Sequence, residues 1–162
     1  MRSTKFILLT ALVIVFALPW AGEAIGRARP ASQGREEPVK RENPEQAITT
    51  MIRQMQLDLE GSSSRGVLGN IDSAKFDDYP RFEDMVERLT RENTLRVFFR
   101  QVSNSIRENS AQTILEAEME MTRKDSAGQA ERRRQQLVID FELTNRGWKI
   151  INITPRDFFR PL

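Results

Sequence analysis

LEAEMEMT, residues 115–122, and QLVIDFEL, residues 136–143, return an apolar side chain at every second position, the period of a β-strand that buries one face and wets the other. The same alternation precedes them in TLRVFFR, residues 94–100, and follows them in WKIINI, residues 148–153. Leu95, Val97 and Phe99 oppose Arg96, Phe98 and Arg100. Leu115, Ala117, Met119 and Met121 oppose Glu116, Glu118, Glu120 and Thr122, and Leu137, Ile139, Phe141 and Leu143 oppose Gln136, Val138, Asp140 and Glu142. The segments between, Arg107 to Ser110, Lys124 to Ala130 and Thr144 to Gly147, are short enough for hairpins, and Gly147 is free to take a positive φ in the last of them. The spacing predicts a four-stranded antiparallel meander with one apolar face, and such a face needs a cover.

The cover lies upstream. Asn43 suits a helix cap, Pro44 suits the first helical position, and Glu45 and Gln46 place acceptors near the positive end of the helix. Behind them Ile48, Met51, Ile52, Met55 and Leu59 recur at helical spacing. Gly61 and the run from Ser62 to Gly66 predict a flexible loop, and Ile71 to Phe76 a short helical piece. Pro80 starts another helix with Phe82, Met85, Val86 and Leu89 on its apolar side. The expected class is α+β, N-terminal helices packed on a four-stranded antiparallel sheet. Met51, Met55, Phe82, Val86, Leu115, Met119, Ile139, Phe141 and Trp148 are its predicted core, with Phe99 beside Trp148 and Phe141.

Farther out, Arg2 and Lys5 precede an unbroken apolar run from Phe6 through Leu18, then Pro19 and the small residues Gly22 and Ala24. This is the layout of a cleaved secretory signal over residues 1–24, so the chain is expected to be exported, to the periplasm or beyond, with no stable membrane span after cleavage. Residues 25–42 are rich in Gly, Pro, Arg and Glu and read as a disordered tether, leaving 43–162 as one folded domain. The chain has no cysteine and no histidine. Burial must therefore hold the fold without disulfides, a lipid anchor on cysteine is excluded, and the commonest general base and transition-metal ligand is missing. Twenty-five basic residues are interspersed with 23 acidic ones, which gives no basic stripe for nucleic acid. No cofactor motif and no metal ligand set stands out.

Helices first, then a long-stranded sheet ending in Arg132 to Leu143, Gly147-Trp148-Lys149-Ile150 and Thr154-Pro155-Arg156-Asp157-Phe158-Phe159, resembles the nuclear-transport-factor-2-like superfamily. That is the cone-shaped α+β fold of ketosteroid isomerases, scytalone dehydratase and SnoaL-like proteins, and the ending is similar to exported bacterial members of it. The resemblance spans about Pro44 to Phe159. It implies a curved sheet that wraps the helices on its concave face and leaves a pocket at the open end of the cone. Met51, Met55, Phe82, Phe99, Met119, Phe141 and Trp148 would then be core and pocket wall together, and a small apolar ligand could enter. Some families of this fold use the pocket for catalysis, many for binding only, and others keep a dimer interface, so fold does not settle function.

Four constellations bear on function. Glu116, Glu118 and Glu120 share one face of one strand about 7 Å apart, and Arg96, Arg100, Arg132 and Arg134 on the neighbouring strands would pair with them across an outer face. Asp72, Asp77, Asp78 and Tyr79 cluster before the Pro80 helix. An isomerase-like site would want a buried carboxylate and a tyrosine there, which makes Asp72, Asp77 and Tyr79 the catalytic candidates, although Asp77 and Asp78 also suit a turn and a helix start. Asp140 stands near Asn152 as a solvated or arginine-paired carboxylate. Phe98, Val102, Val138, Ile151 and Ile153 put apolar surface on the outer face, so Phe98, Arg100, Glu118, Arg134, Val138 and Ile151 form a candidate interface for a second copy or an envelope protein. The expected function is an exported, non-enzymatic binding or scaffold domain. The alternative is an isomerase- or dehydratase-like enzyme working in the cone.

Overall fold

Asn43 Oδ1 accepts the Glu45 N–H at 3.0 Å and Pro44 follows at the first helical position, so the first helix begins where its cap dictates. The computed structural model describes residues 43–125 and 130–162. In it this helix, α1, runs Pro44–Glu60 and buries Ile48, Ile52, Met55 and Leu59, with Met51 half-buried beside them. The leader at 1–24, the tether at 25–42 and the middle of the Lys124–Ala130 connection lie outside the described residues. No helix among the described residues is long and apolar enough to cross a membrane.

Between α1 and the next long helix the chain departs from the local expectation twice. The predicted loop at 62–66 instead winds into α2, Ser64–Gly69, because Ser63 Oγ accepts the Gly66 N–H at 3.2 Å and caps it. A Cβ on Gly66 would lie 2.4 to 2.6 Å from the Asp58 carboxyl group, so any larger residue there would have to push that side chain aside. The segment Ile71–Phe76 is not a helix. Asp72 Oδ1 takes the Ala74 N–H at 3.1 Å, a local bond that competes with helix formation. The backbone is also drawn to the last strand, β4 (Gly147–Thr154), where Ile150 N–H donates to Asn70 and Asp72 N–H donates to Ile150, both at 2.9 Å. Helix α3, Tyr79–Glu92, then buries Phe82, Val86, Leu89 and Thr90.

Strands β1 (Asn93–Arg107), β2 (Ser110–Arg123) and β3 (Glu131–Thr144) join β4 in the order β1-β2-β3-β4, every pair antiparallel. The sheet is curved and unclosed, with the three helices packed on its concave face. Phases agree with the sequence through most of its length: Leu95, Val97, Leu115, Met119, Met121, Ile139 and Phe141 are buried, and their neighbours face out. Two bulges reset the phase on the edge strands. In β1 the register shifts between Gln101 and Ser103, with Val102 as the extra residue, so that beyond it Asn104 and Ile106 take the inward phase. In β4 Phe141 pairs with Ile150 but Asp140 pairs with Asn152, so Ile151 is the extra residue. Ile153 therefore returns to the concave face and is fully buried, not outward as strict alternation required. Leu143, one pair from the β3–β4 turn, keeps 39% of its surface exposed and adds little to the core.

The edge of β1 is sealed by α1. Glu60 Oε1 accepts the Val97 N–H at 2.9 Å and Gln56 Oε1 accepts the Phe99 N–H at 3.3 Å, occupying main-chain donors that an open sheet edge would offer to another strand. After β4 the Thr154–Pro155 peptide is cis and a 3₁₀ turn, Arg156–Phe159, brings Phe158 and Phe159 into the interior with no surface left exposed.

Candidate functional site

The concave interior is the first place to look for chemistry, and apolar side chains fill it. Met55, Phe82, Val86, Leu115, Met119, Ile139 and Phe141 are buried there, Trp148 nearly so, and Phe99 is half-buried against them. Phe159 packs edge-on against Phe82 at 5.3 Å and Phe158 at 5.2 Å between ring centroids, Phe158 lies 6.2 Å from Phe99, and Phe76 lies 4.9 Å from Phe82. A side chain beside a water-sized void would retain accessible surface, so the fully buried members of this set enclose none. Among the described residues the buried polar side chains are Thr90, Asn93 and Thr113. Thr90 donates to the Val86 carbonyl at 2.9 Å, Asn93 to the Leu89 carbonyl at 3.1 Å and Thr113 to Asn104 Oδ1 at 3.0 Å. These are neutral bonds that hold α3 and the sheet together. They supply no general base.

The catalytic candidates are not brought together. Asp72 closes its own turn through Ala74. The Asp77 side chain is 94% exposed and 3.9 Å from Arg156. Asp78 takes a left-handed conformation with φ of 49° at the start of α3 and makes no side-chain cap. Tyr79 donates its hydroxyl to Glu83 Oε1 at 3.3 Å, in an open groove of about 360 Å³ between α2 and α3 that Arg65, Leu68 and Glu87 also line. Burial, and then the Glu83 and Glu87 carboxylates, push the Tyr79 phenol above its ordinary value. Tyr79 thus points at an acidic helix face, away from the concave sheet. No group of three or more metal-ligating side chains converges among the described residues.

The convex face carries the polar pattern that alternation predicted, in cross-strand rows. Arg100 meets Glu116 at 2.5 Å and Arg134 reaches the same oxygen at 3.5 Å, and the Arg100 hydrogen bond, with both guanidinium charges, holds the Glu116 carboxyl below the ordinary range. Arg132 pairs with Glu118, and Arg96 with Glu120 at 3.9 Å. In the observed register Glu118 faces Phe98 on β1 and Arg134 on β3, so an arginine lies directly opposite it on one side and the others lie diagonally. Phe98 and Val102 stand 61% and 50% exposed. Beyond the ladder, Ser103, Ile114, Val138 and Thr154 form the next row, with Ile114 and Val138 half-buried. Asp140 stays partly exposed, and its partners are amides, not arginines: Gln112 donates to it at 2.8 Å and Asn152 at 3.1 Å, both from positions directly across. Phe98, Arg100, Glu118, Arg134, Val138 and Ile151 therefore share the outer face that alternation assigns them, the bulge in β4 changing the phase only beyond Ile151.

Alternation alone missed the C-terminal hook, Pro155–Leu162. Phe158 and Phe159 were visible only as the end of a motif, whereas their burial depends on what receives them. Arg133 carries the signal that was available: between Arg132 and Arg134, it falls on the inward phase of Gln135 and Leu137. Its Nη1 donates to the carbonyls of Asp157, Phe158 and Arg160 at 2.9, 3.0 and 2.8 Å.

No protein-family model matches the chain, and no curated protein matches it in sequence. Solved structures do match in shape. A conserved protein from Planctomyces limnophilus aligns with a TM-score of 0.62 at 13% identity, over 67% of this chain and 91% of its own. A nuclear transport factor 2-like superfamily protein from Salmonella enterica serovar Typhimurium gives 0.61 at 11% identity, over 68% and 87%. A protein from Novosphingobium aromaticivorans, described as a candidate scytalone dehydratase, gives 0.59 at 8%, over 67% and 80%. Three helices on the concave face of one curved, unclosed sheet, shared with these structures, give this chain the cone fold of the nuclear transport factor 2-like proteins.

Proposed function

We propose that this chain is an exported, non-enzymatic binding or scaffold domain that works through the convex face of its sheet, its partner a second copy of the chain or another envelope protein. The observation that carries the reading is the filled cone: Phe158 and Phe159 occupy the interior together with Phe82 and Phe99, where a small-molecule enzyme needs room for substrate and a buried acid or base. The outer face supports it from the other side. Phe98 and Val102 offer apolar contact, while the surrounding arginines and glutamates are already paired, so a partner could bury the apolar residues without stranding a lone charge.

Sedimentation of wild type and Phe98→Asp, at low and high salt, tests the interface. Wild type should associate at high micromolar concentration and Phe98→Asp should not. A wild type that stays monomeric removes the homodimer and leaves the envelope partner, to be sought by crosslinking in the native host with Phe98→Asp as the control. Intact mass of the exported protein tests the leader, with Ile25 expected as the new N-terminus. The rival reading, an isomerase- or dehydratase-like enzyme, draws on the candidate dehydratase among proteins of this fold and on the partly buried Tyr79 phenol. Turnover of a small-molecule substrate by wild type, lost in Tyr79→Phe while the fold is kept, would favour it.

A further inference from the structure

The outward rows change character along the sheet. Around Phe98 and Val102 they hold apolar residues among arginine–glutamate pairs, and the row of Ser103, Ile114, Val138 and Thr154 ends that stretch. Toward the β1–β2 hairpin the next row is Ser105, Gln112, Asp140 and Asn152, followed by Arg107, Ser110, Glu142 and Lys149. Two open grooves of about 390 and 510 Å³ lie on these rows and adjoin, since Arg107, Ser110 and Ile151 line both. Each falls within the range of small-molecule sites, about 300–1,000 Å³.

The walls are fixed from several sides. The Asn109 carbonyl in the hairpin turn accepts the Leu143 N–H at 2.8 Å, Ser110 Oγ donates to the Arg107 carbonyl at 3.2 Å, and Lys75 Nζ holds Glu142 at 2.5 Å. Within the groove, Asp140 accepts from Gln112 Nε2 at 2.8 Å through one carboxylate oxygen, and from Asn152 Nδ2 at 3.1 Å through the other. A carboxylate pinned at both oxygens sets the plane of each amide in turn. Gln112 keeps its carbonyl oxygen and its second N–H for another partner, and each Asp140 oxygen keeps a lone pair. Arg107 adds a rigid fork of donors, Ser105 a hydroxyl and Ile151 an apolar wall.

Charge narrows the ligand class. Asp140 and Glu108 oppose an anion in these grooves and Arg107 opposes a cation, while donors and acceptors stand side by side. A neutral molecule that donates and accepts at adjacent atoms, and also presents aliphatic C–H groups, satisfies all of them. We infer that the groove at the hairpin end of the outer face binds a neutral saccharide, with Arg107, Gln112 and Asp140 meeting its hydroxyl groups and Ile151 the C–H face of a ring. Two adjoining grooves suit a disaccharide unit. Side chains already held in place lose little freedom when it binds. The site goes beyond the reading of the outer face as an interface and does not depend on it, because Phe98 and Val102 lie on the other side of the Ile114–Val138 row.

Amide chemical shifts of the isotope-labelled full chain, titrated with maltose, cellobiose and N,N′-diacetylchitobiose, test the site, with spermidine and inorganic phosphate as charged controls. At least one disaccharide should saturably shift the amides of Ser105 to Gln112, Asp140 and Ile151 in the millimolar range and leave those of Val97 to Phe99 unchanged. Arg107→Ala and Gln112→Ala, both at exposed positions of the sheet, should keep the fold and each weaken binding at least fivefold. Phe98→Asp should bind as wild type does. Groove amides that respond to none of the three sugars at tens of millimolar overturn the site. Full binding by both alanine variants overturns the roles of those side chains, and stronger saturation by spermidine or phosphate than by any sugar overturns the ligand class. Sugar binding lost in Phe98→Asp and kept in the alanine variants would move the ligand to the apolar stretch, which also overturns the site.

Discussion

Phe141→Ala is the sharpest test of the sheet's phase. Phe141 lies on β3 between Ala111 of β2 and Ile150 of β4 and has no exposed surface. Both neighbouring strands hold the backbone, so the walls cannot collapse into the space the ring vacates, and the loss should fall within the range for a buried phenylalanine, about 3–5 kcal/mol. That is a large fraction of the roughly 5–15 kcal/mol that stabilises a typical domain. Phe159→Ala deletes the same ring from the hook, where the chain end is free to settle into the gap, so its cost should lie at or below the lower end, about 3 kcal/mol. Urea titration followed by Trp148 fluorescence and by circular dichroism measures both. With a slope of about 2 kcal/mol per molar urea, Phe141→Ala should lower the midpoint by about 2 M. A loss under about 1 kcal/mol at unchanged slope would mean that Phe141 does not face the helices, and the assignment of concave and convex rows would fall with it.

Tyr79 is the chain's single tyrosine, so absorbance near 295 nm titrates it alone. Its midpoint should lie above 10.0, and Glu83→Gln should lower it only in part, because burial is the larger cause. The raised value also means that the phenol favours the fold in full below its ordinary value, and that this contribution is lost as pH rises through the folded value. Glu116 has the opposite sign: its carboxyl is held low by Arg100, so the pair's contribution is present above the ordinary carboxylate range and fades as pH falls through the folded value. The difference between wild type and Glu116→Gln should be small at pH 7, as for exposed pairs, and should shrink as pH falls below the ordinary carboxylate range. Glu60→Ala leaves the Val97 N–H without its acceptor and should cost about 1–2 kcal/mol. Turbidity on warming should also rise relative to wild type, whereas unchanged turbidity would mean that Glu60 does not guard the edge.

The period of two was enough to place most inward side chains, because alternation is a local property that every strand in a half-buried sheet must obey. It was also enough to foresee the ion-paired ladder, since residues two apart share a face whatever the register. It could not place Ile153, because a bulge depends on how one strand meets its neighbour, and nothing within WKIINI announces Ile151 as the extra residue. Helix α2 and the non-helical Ile71–Phe76 segment failed for a related reason: the Ser63 cap is legible, but the pull of β4 on Asn70 and Asp72 acts across about 80 positions of chain. Of the candidate site, the convex face was legible and the fate of the cone was not. Whether a cone is open or filled depends on where Phe158 and Phe159 go, and only the inward phase of Arg133 hinted at what would catch them.

The seal on β1 works through a coincidence of lengths. Gln56 and Glu60 are one helical turn apart, about 6 Å along the axis, and Val97 and Phe99 are two strand residues apart, about 6.6 Å. Two polar side chains on successive turns can therefore meet two successive outward N–H groups, and α1 behaves toward β1 as a partial fifth strand. Sliding α1 by one residue would swing its carboxylate and amide about 100° around the helix axis and free both N–H groups together, so the two contacts form an indexing mechanism as well as a seal. Helix and strand are set in one relative position before any apolar side chain has to choose its neighbour. Growth of the sheet by addition of a strand beside Val97 and Phe99 is thereby blocked at its first two rungs.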